Sequence, residues 1–209
     1  MTLPLPHLPR LRAAFRRAVL LTIFVMVVAL AGWPGPREAA GLSIAAGQRE
    51  YLIKAAFIYD MIKATQWPGA RADAIVLCVL GRDPFGAAWE SIDGKPVGRR
   101  TLQITMLEGP KGFGGCDVLF VGISERVRWP QIHADLASRP ILTISEMAGF
   151  SRDGGMVTLM NVDNRLRFDV NLKAVREAGL TISTDALKHA NAIHAGTPGH
   201  LTVTPPKPI

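Results

Sequence analysis

Ala74-Ile-Val-Leu-Cys-Val-Leu80 and, further along, Cys116-Asp-Val-Leu-Phe-Val121 decide the fold. Each holds a run of large apolar residues without polar alternation, the pattern of a strand covered on both faces. Leu102–Leu107 and Ile141–Ile144 read as further strands, the latter ended by Ser145, a capping residue for the turn that follows. Helical segments lie between them. From Gln48 to Gln66, Leu52, Ile53, Ala56, Phe57, Tyr59 and Ile62 recur at spacings of three and four, a broad apolar helix face. Trp67-Pro68 ends that helix, because the residue before proline disfavours helical geometry. A short helix through Trp89 and Ile92 follows the turn Gly81–Gly86, and Trp129–Ser138 reads as another. Strands alternating with helices predict an α/β domain with a mostly parallel sheet flanked by helices.

The end of the domain changes character. Met156–Asn161 and Arg165–Val170 flank Val162-Asp163, which predicts an antiparallel hairpin near the C-terminal edge of the sheet. Asn171 is placed to cap a helix over Leu172–Ala178, and Gly179 suits the left-handed position that closes it. Ser183 is placed to cap a last helix carrying Leu187 and Ala190.

The front of the chain reads as an export signal. Arg10, Arg12, Arg16 and Arg17 precede an uncharged apolar run from Ala18 to Ala31. That order is a secretory signal, and the run is shorter than the roughly 20 residues a spanning helix needs. Ala29-Leu-Ala31 and Ser43-Ile-Ala45 both offer small-residue cleavage spacing. An uncleaved inner-membrane anchor is the alternative. The expected organisation is a signal peptide or anchor with linker over residues 1–46, an α/β domain over 47–194, and a flexible tail over 195–209, rich in proline, glycine and threonine.

Charge narrows the function classes. The chain carries 24 basic and 17 acidic side chains, net +7. Residues 41–209 hold 19 and 16 of these, so the exported part is only +3. With no lysine or arginine cluster, nucleic-acid binding is not indicated. Chemistry is also hard to find. His189 and His194 are off helical spacing for a shared metal, and no CxxC or Cys/His cluster stands in the chain. Ser124, Ser145 and Ser151 lack a nucleophile-elbow context. Gly109–Gly115 lacks the Gly-Lys-Ser/Thr ending of a phosphate loop and precedes a strand. No metal, no cofactor and no enzyme activity are therefore expected.

What remains is a short set of candidates. Cys78 and Cys116 lie in two buried strand runs, and an oxidising compartment permits a disulfide between them; two free buried thiols are the other reading. Arg165 and Arg167 share one face of a strand. They pair there with Asp163 and Asp169, or hold a small anion or an acidic partner with a bidentate fork. Trp67, Trp89 and Trp129 are buried anchors unless exposed together.

Two blocks carry a resemblance. Lys54-Ala-Ala-Phe-Ile-Tyr-Asp-Met-Ile-Lys-Ala-Thr-Gln-Trp67-Pro68 stands near the front, and Gly154-Gly-Met156 with Arg167-Phe168, Asn171, Gly179-Leu180 and Ile182-Ser183 near the back. With Val79-Leu-Gly81, Asp83-Pro-Phe85 and Ile141-Leu-Thr-Ile-Ser145 between them, the order from Glu50 to Ala190 resembles the YfiR family of periplasmic regulators. The resemblance implies a periplasmic protein, often oligomeric and here a candidate homodimer, that is not an enzyme. It implies binding to the periplasmic sensor domain of a membrane-bound diguanylate cyclase, so that cyclic di-GMP and biofilm behaviour depend on release of repression. It also implies a role for disulfides, although members with further cysteines have a second bridge that two cysteines cannot supply. Trp67, Arg165, Arg167 and Phe168 are then the partner- or ligand-contact candidates. The competing readings are a small-molecule-binding module, which needs a preformed pocket, and an enzyme, which needs a convergent acid–base pair.

Overall fold

The computed structural model describes residues 36–69, 73–109, 112–136 and 139–195. The export reading and the tail beyond Ala195 lie outside these residues. The chain divides between Ala46 and Gly47, and everything below concerns the part from Gly47 onward unless an element's bounds say otherwise.

Helix α1 spans Pro36–Ala64. The predicted continuation to Gln66 does not occur. Thr65 folds its hydroxyl back onto the Met61 carbonyl at 2.8 Å, and Thr65–Gln66 becomes strand β1, paired antiparallel with β9 (Thr181–Ile182). Pro68 demands an extended Trp67, so the last helical turn gives way to strand geometry.

The main sheet contains β2 (Ala74–Leu80), β3 (Pro96–Val97), β4 (Arg100–Leu107), β5 (Val118–Val121), β6 (Leu142–Ser145), β7 (Val157–Val162), β8 (Arg165–Asn171) and β10 (Ala192–His194). Its order is β10-β8-β7-β6-β5-β2-β4-β3. The run β4-β2-β5-β6-β7 is parallel throughout. The expected hairpin is β7–β8, antiparallel, and β10 adds outside it, parallel to β8. The turn residues are Asp163 and Asn164, one position later than the sequence suggests, with φ of 51° and 59°. A tight hairpin turn of this kind needs two left-handed residues; aspartate and asparagine tolerate that region and a β-branched valine does not.

Both faces of the sheet are buried, which is why its central strands show no alternation. Ile75, Leu77, Val79, Val118, Phe120, Leu142 and Ile144 face α1 through Ala55, Ile58, Met61 and Ile62. Cys78, Leu80, Leu119 and Val121 face the other way, toward Trp129, Ile132 and Leu136 of α2 (Trp129–Leu136) and toward Phe150. The short helix through Trp89 is a 3-10 turn over Gly86–Ser91. Asp83 organises it, accepting hydrogen bonds from the Phe85 and Gly86 amides and from Trp89 Nε1 at 2.9–3.0 Å. Asn171 caps α3 (Leu172–Glu177), and Ser183 caps α4 (Thr184–Leu187), as their side-chain chemistry predicts.

Candidate functional site

In an open α/β sheet the default ligand crevice lies at the carboxyl ends of the strands, where the chain order reverses. Here that point falls between β2 and β5, and the chain's own loops fill it. The Arg82 amide donates to Ser124 Oγ at 2.8 Å. A Cβ on Gly81 would stand 2.5 Å from that hydroxyl, and one on Gly122 only 2.7 Å from the Arg82 carbonyl oxygen. Glu125, buried beneath, pairs with Arg128 at 2.6 Å.

The open space lies elsewhere, beside the Gly154-Gly-Met156 motif. This turn enters β7 and rests on aromatic rings. Trp129 Nε1 donates to the Asp153 carbonyl at 2.9 Å, and the Trp129 and Phe150 rings lie 4.3 Å apart. The His133 imidazole sits on the backbone of Gly154, whose φ is +93°; a Cβ there would be 2.7 Å from His133 Nε2. A Cβ on Gly155 would be 2.3 Å from the buried Phe150 ring. The two glycines therefore make room for two rings. Gly155→Ala overpacks this contact, and we expect a loss of about 1–3 kcal/mol in urea unfolding with an unchanged slope. Met156 completes the motif by donating its amide to Thr143 Oγ1 at 3.0 Å.

Two adjoining hollows of about 400 and 430 Å³ open here between α2 and α3, sharing His133, Gly154, Ala174 and Glu177. Asn171 builds one wall, donating to the Ser151 carbonyl at 2.8 Å while accepting from the Ala174 amide. Arg139 lines one hollow; Arg152, Lys173 and His194 line the other. Gly154, Met156 and Asn171 of the lining stand in the motif blocks, but Arg139, Arg152, Lys173 and His194 carry no motif, because they come from separated stretches of chain.

The candidates read from the sequence fall in different places. Arg165 and Arg167 are exposed on one face of β8, alongside Met160 and Val162 of β7. Among the described residues neither arginine forms an ion pair. The proposed carboxylate partner Asp169 instead accepts from Asn191 Nδ2 at 2.9 Å and lies 4.0 Å from His194 Nε2. Phe168 points to the opposite face, buried, with its ring 4.7 Å from Phe57. Trp67 is half-buried, donating from Nε1 to the Asp117 carbonyl at 3.1 Å, with the Arg100 guanidinium 5.7 Å from its ring. Asp117 precedes β5, so Trp67 sits at the amino end of the parallel strands, whereas the β7–β8 turn carrying Arg165 lies at the carboxyl end. The structure does not bring Trp67 together with the two arginines. Trp89 and Trp129 are both buried.

Cys78 and Cys116 form a disulfide, with Cα atoms 5.7 Å apart. It joins the central strand β2 to the turn that enters β5. A second feature has no signal in the sequence. Lys54, on α1, is buried and reaches Glu146, just past β6, through a short charge-assisted hydrogen bond. Its ammonium also lies 2.5 Å from Glu50 and 4.5 Å from the centre of the Tyr51 ring. Burial alone would lower the Lys54 pKa, but the hydrogen bonds with Glu146 and Glu50 reverse this and raise it. The pair pins the helix to the end of the sheet.

No helix among the described residues is long and apolar enough to cross a membrane. Likeness to solved structures is slight. The ABC domain in complex with L-Trp from Streptococcus pneumonia is similar at 15% identity with a TM-score of 0.46, over 65% of this chain and 58% of that one. A conserved domain protein from Vibrio cholerae gives 9% and 0.41, over 68% and 60%. The chain thus spans about three fifths of the length of each. The family pattern described as YfiR/HmsC-like matches residues 51–191, from the first turns of the α1 contact with the sheet to the start of β10. With that match covering most of the chain, and its blocks placed on α1, the ring-bedded glycine turn and the β7–β8 hairpin, the protein belongs to the YfiR/HmsC-like family.

Proposed function

We propose that this protein is an exported periplasmic regulator that represses a membrane-bound diguanylate cyclase through the cyclase's periplasmic sensor domain. Membership of the YfiR/HmsC-like family over residues 51–191 is the observation that carries the reading. Residues 1–46 serve export or anchor the domain to the inner membrane, and residues 47–194 form the regulatory domain. Repression of this kind is a population shift: the regulator binds the inactive cyclase better than the active one, and cyclic di-GMP falls by the difference in affinity.

On this reading the β7–β8 hairpin is a contact surface. Arg165 and Arg167 present two guanidinium groups with no carboxylate partner among the described residues, suited to an acidic patch. Phe168 acts from behind, its buried ring holding the strand in register. Trp67, backed by Arg100, is a second contact at the opposite end of the sheet. Arg167→Ala should weaken cyclase binding about tenfold, the loss expected of one charge-assisted contact. Cyclic di-GMP should rise in cells while the abundance and melting temperature of the protein stay unchanged. Unaltered cyclic di-GMP at normal abundance removes the arginine from the interface. The parent experiment is deletion: cyclic di-GMP should rise without the gene and return only when an exported form is restored.

A second reading is a small-molecule-binding module serving another signalling or transport protein. The cleft between α2 and α3, at about 400 Å³ in each hollow, is of ligand size and favours it.

A further inference from the structure

We propose that the cleft between α2 and α3 is a binding site for a small anion, a carboxylate or phosphate compound, whichever membrane protein the domain serves. The inference takes up the ligand-binding reading and names the ligand's chemistry.

The lining is unbalanced in charge. Arg139, Arg152, Lys173, His133 and His194 supply donors, and Glu177 is the carboxylate among the residues that line the two hollows. Glu177 is already engaged, 3.7 Å from Lys173. Among the described residues Arg139 and Arg152 have no ion-pair partner. Arg139 lines one hollow and Arg152 the adjoining one, and they come from different elements, the stretch after α2 and the turn before β7.

The polar groups of the walls are in a different state. Asn171, Thr143 and the Ser151 carbonyl are satisfied internally at 2.8–3.0 Å. They shape the cavity and leave the charged groups to meet its contents. His194 Nε2 is turned away from the solvent, 4.0 Å from Asp169, with no hydrogen-bond partner among the described residues. Below His133, the absence of a side chain at Gly154 keeps the imidazole seated on the wall.

Like charges lining a concave surface repel one another, and an anion entering either hollow relieves that repulsion while accepting bidentate bonds from the guanidinium group that lines it. A free small anion suits a hollow of about 400 Å³ better than a folded acidic surface, which needs a broad, flat contact.

The test uses inorganic phosphate, with the full chain, in thermal unfolding and isothermal titration against chloride at equal ionic strength. Phosphate should raise the melting temperature, because a ligand that binds only the folded state stabilises it by mass action. The exposed pair Arg139→Gln, Arg152→Gln should keep the melting temperature seen in chloride and lose at least about tenfold in phosphate affinity. The pair Arg165→Gln, Arg167→Gln on the hairpin should bind phosphate as the parent does. Equal stabilisation by phosphate and chloride would overturn the proposal. So would a phosphate effect that survives in the Arg139/Arg152 variant or disappears in the hairpin variant. None of these outcomes depends on cyclase repression, so the two readings fail separately.

Discussion

Glu146→Ala should cost about 3–5 kcal/mol of folding stability, the largest single-residue effect expected outside the hydrophobic core. The substitution leaves the Lys54 ammonium inside the protein with only the half-exposed Glu50 carboxylate beside it. A buried charge that loses its partner retains its desolvation penalty and loses the attraction that offset it. The double variant Lys54→Met, Glu146→Leu should recover most of the loss, since an apolar pair of similar volume removes both charges together. Urea unfolding of the parent and both variants measures the two effects. A double variant as unstable as Glu146→Ala would show that packing, not charge, makes the contact.

The same pair sets a pH dependence whose sign is fixed by direction alone. The Lys54 pKa is raised above its ordinary value of 10.5 in the folded state. Its contribution is therefore complete below the unfolded value and is lost as pH rises through the folded one. Tyr51 acts in the same sense, its pKa raised by burial and by the neighbouring Glu146 carboxylate, so that its charged form is disfavoured in the folded state. Both groups thus hold their protons more tightly when folded, and stability should begin to fall above about pH 10. It should fall less steeply in Lys54→Met, which removes the lysine's share and keeps the tyrosine's.

Loss of the Cys78–Cys116 bond should cost a comparable amount. The bond closes a loop with a sequence separation of 38, for which the chain-entropy relation yields about 4 kcal/mol. In a domain of this size that corresponds to a fall of about 8–16 °C in melting temperature. Reduction and the Cys78→Ala, Cys116→Ala double variant should agree. Both sulfur atoms lie in a packed layer with Leu80, Leu119 and Trp129, so the variant keeps its small-residue packing and the comparison isolates the cross-link. Equal melting temperatures with and without reductant would show that the link contributes nothing to the native state's advantage.

Local backbone chemistry is legible in the sequence. Continuous apolar runs such as Ile75–Leu80 and Val118–Val121 mark strands covered on both faces, since a strand with one wet face must alternate. Asn171, Gly179 and Ser183 announce the ends of short helices, because capping and left-handed geometry depend on one residue and its immediate neighbours. The order of the blocks, from Lys54 to Pro68 and from Gly154 to Ser183, is enough to point to the family. The hairpin turn slips by one residue, as its type depends on which two positions accept positive φ.

Contacts made across the chain are not legible in the same way. Lys54 looks like one more charge on an amphipathic helix, and its partner Glu146 lies 92 residues away. The adjacency of β2 and β5 is needed to turn two cysteines in apolar runs into a bond. Gly154-Gly155 reads as a turn, but the reason for both glycines is the approach of His133 and Phe150 from other elements. Trp67 and Arg165, grouped by their unusual residue types, stand at opposite ends of the sheet. Arg139 and Arg152 carry no signal, since exposed arginines are common and only their placement on two adjoining hollows is informative. The sequence by itself determined the elements and their ends, because those follow from local sterics and burial. Only the tertiary structure decided which side chains share a cavity, because that follows from strand order and the crossing of helices over the sheet.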